Sequence, residues 1–227
     1  MSVLVYHSVA RGDRDIAVDP DTFDAHLAAL MRWGYRFVTV EEVVSWLKGE
    51  GEIPAKAVAI TFDDGYADNA TNALPILEKY RAPAMIFLVE NGIGEWNSDG
   101  IPLLDEEGRK ALLESGLISF GSHSRSHLML DRVSASVLER EIARGDYRFF
   151  AYPGGHSNIE VYRAVERAGY DAAFSIKPGL LRRGDHLFTL RRNVIARGMS
   201  LFDLRMRVSY AMHWYGRITV AWKRKKI

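Results

Sequence analysis

Two adjacent carboxylates, Asp63 and Asp64, stand at the end of an apolar run in "AVAITFDDG". Two imidazoles four positions apart, His123 and His127, stand in "SHSRSH" after a second apolar run. Imidazole and carboxylate together make a donor set for a divalent cation, with zinc favoured and cobalt or manganese as alternatives. Three protein donors leave a position open to water, the pattern of a catalytic rather than a structural site. Two carboxylates this close repel, and a cation relieves that cost. Neighbouring strand residues point to opposite sides. The two aspartates can therefore differ in role, one holding a cation while the other stays free as a base. The chain has no cysteine, which excludes disulfides and thiolate metal sites.

These groups must be carried by elements that bring them together. Apolar, β-rich runs alternate with helical patterns along the chain. "VLVYHS", "YRFVTV", "AVAITFDD", "PAMIFLVE", "LISFGSH", "YRFFAYP" and "YDAAFSI" read as strands, and "FTLRRNVIA" as a further one. "PDTFDAHLAALMRWG", with Phe23, Leu27, Leu30 and Met31 on one face, reads as a helix stopped at Gly34. "EEVVSWLKGEG", "NATNALPILEKYR", "LDEEGRKALLESG", "SASVLEREIAR" and "IEVYRAVERAG" read likewise. Strands that are near-continuous apolar runs are covered on both faces. Their alternation with helices predicts a parallel sheet. An open doubly wound sheet would be favoured by a glycine-rich turn after the first strand, and "YHSVARGD" has none. The expectation is an α/β distorted (β/α) barrel of about seven parallel strands. In such barrels the chemistry sits at the C-terminal strand ends. There the pattern places His7, Asp63, Asp64, His123, His127 and the "AYPGGH" turn on one rim.

"TFDDGYADN", followed by "ALPILEKYRAPAMIFLV", "ISFGSHSRSHLML" and "FFAYPGG", resembles the polysaccharide deacetylases. This is carbohydrate esterase family 4, the chitooligosaccharide-deacetylase homology domain. The opening "VLVYHSV" is most similar to the poly-N-acetylglucosamine deacetylase branch. The likeness covers roughly residues 3–197. It implies a hydrolase that removes N-acetyl groups from amino sugars of a bacterial polysaccharide or lipid-linked saccharide. In that reading Asp64, His123 and His127 bind the metal, and Asp63 is the base that deprotonates a metal-bound water. The backbone N–H of Gly154 donates to the oxyanion. Tyr152 and Pro153 of the same turn, and Trp96 in the loop after the fourth strand, are candidate substrate contacts. Alternatives are a deformylase, an O-acetyl esterase on a related saccharide, or a silent carbohydrate-binding domain.

The chain departs from the family pattern in three places. Ala151 stands where an arginine usually holds the base, and Gly154 where a tyrosine is usual. Arg192 in "LRRNV" is the candidate substitute, with Arg191 as fallback. The Leu-x-His motif that supplies the general acid is missing. His7 is nominated for that proton, ahead of His156 and His186, since the leaving amine needs one. The connection through residues 142–150 is short, which leaves that wall thin or open. Asp171 matches the family's fourth motif but reads as a strand-start residue, and Trp33 and Trp46 read as core.

The 227 residues suit one larger domain. The expected division is a barrel over 1–198 and a basic, aromatic-rich extension over 199–227. From Arg182 onward twelve Lys/Arg face only Asp185 and Asp203, leaving the first 181 residues acidic. With Trp214, Tyr215, Trp222 and "AWKRKKI", the extension suits peripheral contact with an anionic membrane. It contains no recognised nucleic-acid module. Leu204, Val208 and Met212 fit a helix there, while residues 204–214 also alternate like a strand. No apolar run reaches 18 residues and the N-terminus lacks a basic n-region. The expected location is therefore cytoplasmic, at the inner membrane face, or extracytoplasmic if a leader precedes this sequence.

Overall fold

The computed structural model describes residues 1–97 and 100–209. In chain order the elements are β1 (Ser2–Tyr6), α1 (Pro20–Arg32), β2 (Arg36–Phe37), α2 (Val40–Lys48), β3 (Ala57–Phe62), α3 (Leu74–Tyr80) and β4 (Ala84–Leu88). There follow α4 (Glu106–Glu114), β5 (Ile118–Ser122), α5 (Ala135–Glu141), β6 (Phe149–Ala151), α6 (Ile159–Arg167), β7 (Ala172–Phe174), β8 (Asn193–Val194) and α7 (Leu201–Val208). The strands pair in the order β7-β6-β5-β4-β3-β1-β8, with β2 beside the start of β3, and every pairing is parallel.

The sheet curls on itself. β8 pairs with Leu4 and Val5 of β1, while Leu190 bridges Phe174 of β7 in parallel. The short stretch 190–194 thus ties the last strand of the sheet to the first. Its bonds run both ways: Leu190 N–H donates to Ala173 O at 3.0 Å, and Ile195 N–H to Val5 O at 2.8 Å. This is the distorted (β/α) barrel that the alternation predicts.

Period-two side-chain direction sorts each strand into an inner and an outer face. Val58, Ile60 and Phe62 of β3 face outward to a core with Phe23, Leu27 and Leu30 of α1. Ala57 and Ala59 face the other way, into a cluster with Met85, Phe87, Phe149, Ala151, Ala172 and Phe174. On β6 and β7, Phe150 and Ala173 join a third cluster under α6, together with Tyr152. Thr61 and Asp63 continue the inward series of Ala57 and Ala59.

Several element boundaries differ from the sequence reading. "YRFVTV" is strand only over Arg36–Phe37, because a capping box opens α2. Thr39 Oγ1 accepts from the Glu42 N–H at 3.1 Å, and Glu42 Oε2 accepts from the Thr39 N–H at 2.7 Å. Pro75 falls in the first turn of α3, where its missing N–H costs nothing, and a π-turn over Asn69–Ala73 precedes it. Met31 is 50% exposed; His26 and Ala29 take its expected place on the buried face of α1. Trp33 and Trp46 are half-buried, under Arg205 and Arg183 respectively. Phe120 and Tyr147 are likewise half-buried beside the short connection after α5.

Residues 201–208 form a helix. Leu204 and Val208 are buried against the outer core, and Tyr35 donates its hydroxyl to Val208 O at 2.8 Å. The rest of the proposed extension, including Trp214, Tyr215 and Trp222, lies outside the described residues. No helix among the described residues is long and apolar enough to cross a membrane.

Candidate active site

Asp63 emerges from the inward face of β3 with only 2% of its surface exposed, next to Arg192, which is fully buried. The guanidinium grips the carboxylate as a fork: Nη1 donates to Oδ1 at 2.6 Å and Nη2 to Oδ2 at 2.7 Å. Its remaining donors reach Thr61 Oγ1 at 3.1 Å and Ser175 O at 3.2 Å, and it stacks on Phe87 with the ring centroid at 5.2 Å. Burial opposes ionisation of Asp63, but Arg192 and His123 outweigh it and hold the carboxyl below its ordinary range. Arg192 thus occupies the position expected for it, and Arg191 is exposed. The guanidinium arrives from the stretch that ties β7 to β1, not from β6, where Ala151 stands.

Asp64 would turn outward if β3 continued. Instead its backbone is left-handed, at φ 70°, and Gly65 follows at φ 74°. A Cβ at Gly65 would lie 2.6 Å from Leu88 Cδ2, so the tight packing of this turn also requires glycine. The turn brings Asp64 Oδ1 to 3.4 Å from His123 Nε2 and 3.3 Å from His127 Nε2. His127 and Ser124 also have left-handed backbones, at φ 56° and 65°. Three of the four non-glycine residues with this conformation among those described thus lie in or beside the cluster. Such strain persists only where neighbours over-determine it. Here Ser124 Oγ accepts from the His127 N–H at 2.9 Å, Glu141 Oε2 from the Ser126 N–H at 2.8 Å, and Arg125 O from the Asn91 N–H at 2.9 Å.

The donor set fits a divalent cation. One ligand atom from each of Asp64, His123 and His127 lies within 4.8 Å of the others. His123 donates Nδ1–H to Ala151 O at 2.8 Å, which leaves the Nε2 lone pair facing Asp64. Asp64 Oδ1 is buried and has no hydrogen-bond partner among the described residues. A buried carboxylate oxygen so placed suits a cation, which would take over from the neighbouring His127 as its partner. Without one, burial of Asp64 is outweighed by His127, His123 and His7, which hold its carboxyl well below the usual range. Asp64 in turn pulls His127 up, whereas burial pulls His123 down.

A cleft of about 680 Å³ opens over this cluster. His7, Asp63, Asp64, His123, His127, Gly154 and Trp96 all line it, as do Ile16, Tyr66, Glu95, Leu103 and Ile176. Gly154 sits at φ 57° in a turn whose next two N–H groups are committed, Gly155 to Tyr152 O and His156 to Pro153 O. Tyr152 does not reach the cleft. It falls on the outer face of β6, fully buried, with its hydroxyl donated to Phe188 O at 2.9 Å, and Pro153 is buried beside it. As side chains they support the turn and present no surface to a substrate. His156 lies 3.6 Å from Asp131, and His186 caps a helical turn by accepting from the Phe188 N–H at 3.2 Å. Asp171 pairs with Arg148 just before β7.

The sequence reading missed what holds His7. Asp68 accepts from Ser8 Oγ at 2.5 Å and from the Val9 N–H at 2.9 Å, and Asn69 donates to His7 O at 2.9 Å. These residues end the "TFDDGYADN" stretch itself. Their polarity next to an apolar helix start was the available signal.

The polysaccharide deacetylase family model matches residues 50–173, from the approach to β3 to the middle of β7. The chain belongs to the polysaccharide deacetylase family. YxkH of Bacillus subtilis (strain 168), assigned by name to the polysaccharide deacetylases, is 32% identical over 200 residues, 84% of this chain and 69% of that protein. The poly-beta-1,6-N-acetyl-D-glucosamine N-deacetylase of Staphylococcus epidermidis is 28% identical over 75% of this chain and 66% of its own. The chain thus spans about two-thirds of these relatives. Among solved structures, the Streptococcus pyogenes deacetylase PplD in complex with acetate superposes with a TM-score of 0.82 at 27% identity, over 92% of this chain and 98% of that one. As a member of the polysaccharide deacetylases, the chain carries a hydrolase fold with an Asp/His/His metal-site candidate at its mouth.

Proposed function

We propose that this chain is a metal-dependent N-deacetylase acting on N-acetylated amino sugars of a bacterial exopolysaccharide or its lipid-linked precursor. The observation that carries the reading is the Arg192-clamped Asp63 beside the Asp64/His123/His127 donor set. A carboxylate that Arg192 favours in its ionised form adjoins three groups whose donor atoms could hold a cation. Poly-N-acetylglucosamine as the relative's named substrate, and acetate in the PplD complex, support the substrate class.

When bound to Asp64, His123 and His127, a divalent metal, zinc by its donors, supplies a Lewis acid that acidifies water and polarises a carbonyl oxygen. Asp63, oriented by the Arg192 fork, is placed to accept a proton from the water that would attack the acetamide carbon. The Gly154 N–H donates to the oxygen on which charge develops. His7, on the same rim, donates a proton to the nitrogen as the C–N bond breaks. Acetate and a free amine leave.

The test is acetate release from N-acetylglucosamine oligomers by metal-stripped protein resupplied with zinc or cobalt. Release that persists in Asp63→Asn would sink the base assignment. Absence of release from any acylated sugar, with metal bound, would favour a binding domain. The charge asymmetry further supports peripheral contact of residues 199–227 with an anionic membrane surface, and so a site at the inner face. Undiminished liposome association after removal of those residues would end that reading.

A further inference from the structure

One carboxylate in the cleft has no part in the chemistry above. Asp63 is neutralised by Arg192, and Asp64 faces two imidazoles. Glu95 lines the same cleft, and no lysine or arginine is among its described lining residues. Next to it Trp96 leaves 66% of its surface exposed.

That exposure is not looseness. Glu95 O accepts from the Leu103 N–H at 2.9 Å, Trp96 bridges Pro102, and Asn97 donates its N–H to Ile101 O at 2.9 Å. Gly94 N–H reaches Leu104 O at 2.9 Å, and Leu104 N–H reaches Gly65 O at 2.8 Å. The hairpin is thereby bonded to the turn that carries Asp64. A tethered backbone holds an apolar ring and a carboxylate without a counter-charge among the described residues at a set remove from the metal-site candidate.

A pyranose presents an apolar C–H face that an indole can cover. An ammonium on that ring gains twice more, from the carboxylate and from the negative face of the indole. A neutral acetamido group gains only the stacking, and a carboxylated sugar is repelled. Removal of an N-acetyl group turns a neutral substituent into such an amine. We propose that Glu95 and Trp96 form a subsite for the sugar next to the one being cleaved, and that it prefers a free amino sugar over an acetylated one. Partly deacetylated chains then bind better than fully acetylated ones, and glycans bearing carboxylates bind worst. The inference rests on the N-deacetylase reading for its substrate, and its test separates the two.

Binding is measured by calorimetry on zinc-loaded Asp63→Asn protein. The probes are a β-1,6-linked N-acetylglucosamine pentamer and the same pentamer carrying two glucosamine units. The second should bind about three- to five-fold more tightly at low salt, the worth of one partly exposed charge pair. About 0.5 M salt should remove the difference by screening. Glu95→Gln should shrink the difference to the smaller share that the indole face supplies, without weakening the acetylated probe. Trp96→Ala should weaken both about ten-fold, the effect of uncovering roughly 60 Å² of apolar surface, and Trp96→Phe should restore most of it. Equal binding of the probes by the native subsite, or a preference undiminished in Glu95→Gln, overturns the subsite. Acetate release from both pentamers without preference also overturns it while leaving the N-deacetylase reading intact. Preferred binding with no acetate release from either probe by the native protein overturns that reading and leaves the subsite standing.

Discussion

Arg192→Ala should be among the most damaging single substitutions in this chain. It leaves Asp63 buried without the fork that grips both carboxylate oxygens at 2.6 and 2.7 Å. Removing one partner of a buried ion pair costs about 3–5 kcal/mol, because the other charge is left uncompensated. Thr61 Oγ1 and Ser175 O lose a donor at the same time. For a chain of 227 residues, each kcal/mol is worth about 2–4 °C of Tm, so a fall of roughly 6–20 °C is expected. Against a typical total of about 5–15 kcal/mol, the variant should still be folded at low temperature. Arg192→Lys keeps the charge but not the fork, and should fall between. Urea unfolding of the metal-free protein gives the energies without metal linkage. The double variant Asp63→Asn/Arg192→Met should recover a large part of the loss, since no charge then remains buried. Activity of Arg192→Ala should drop by about 10²-fold or more, since burial alone pushes Asp63 toward the protonated acid. An Arg192→Ala protein within about 1 kcal/mol of wild type, or strictly additive single substitutions, would refute the reasoning.

His7→Gln should lower kcat by about 10²-fold on N-acetyl sugars with little change in KM. The loss should shrink on an aryl acetate, whose leaving group needs no proton; equal losses on both would remove His7 as the acid. Zinc at about 1,000 times its Kd should raise stability by about 4 kcal/mol in the native chain. Asp64→Ala and His127→Ala should each abolish most of that shift in a thermal melt; an unchanged shift would place the metal elsewhere. His26 should make stability fall as pH drops. Its Nε2–H donates to Met199 O at 3.3 Å, so Nδ1 accepts from Tyr6 Oη at 3.2 Å, and burial holds its pKa below 6.5. The folded state then resists a proton that the unfolded chain takes. The contribution is full above about pH 6.5 and is lost between that value and the lower folded pKa. Stability of His26→Asn should slope less with pH across that window, and an identical slope would contradict the assignment.

The barrel, its parallel order and the Asp64/His123/His127 cluster were legible because each rests on a local pattern: apolar runs, a carboxylate pair at a strand end, a His-x-x-x-His spacing. The arginine was legible only as a choice between neighbours, since nothing local says which of Arg191 and Arg192 points inward. The sheet decides it, by placing residue 192 between the Leu190 bridge and β8. Tyr152 misled for the same reason. In the strand parity of β6 it shares a face with Phe150, and the outer side was invisible without knowing where the barrel interior lay. The support for His7 was missed because Asp68 and Asn69 act on backbone atoms sixty residues upstream, a contact that only closure of β1 against β3 creates.

The stretch that joins β7 to β1 arrives late in the chain and brings Arg192 with it. A nascent chain that has emerged only through β7 already carries all three candidate ligands, yet its Asp63 has no counter-charge. Synthesis from the N-terminus therefore completes the candidate metal donors before it completes the Asp63–Arg192 pair. A chain that stops at β7 carries the Asp/His/His donors without the guanidinium that grips Asp63. In the proposed mechanism, readiness of the base is therefore a late step of assembly that waits on a single guanidinium.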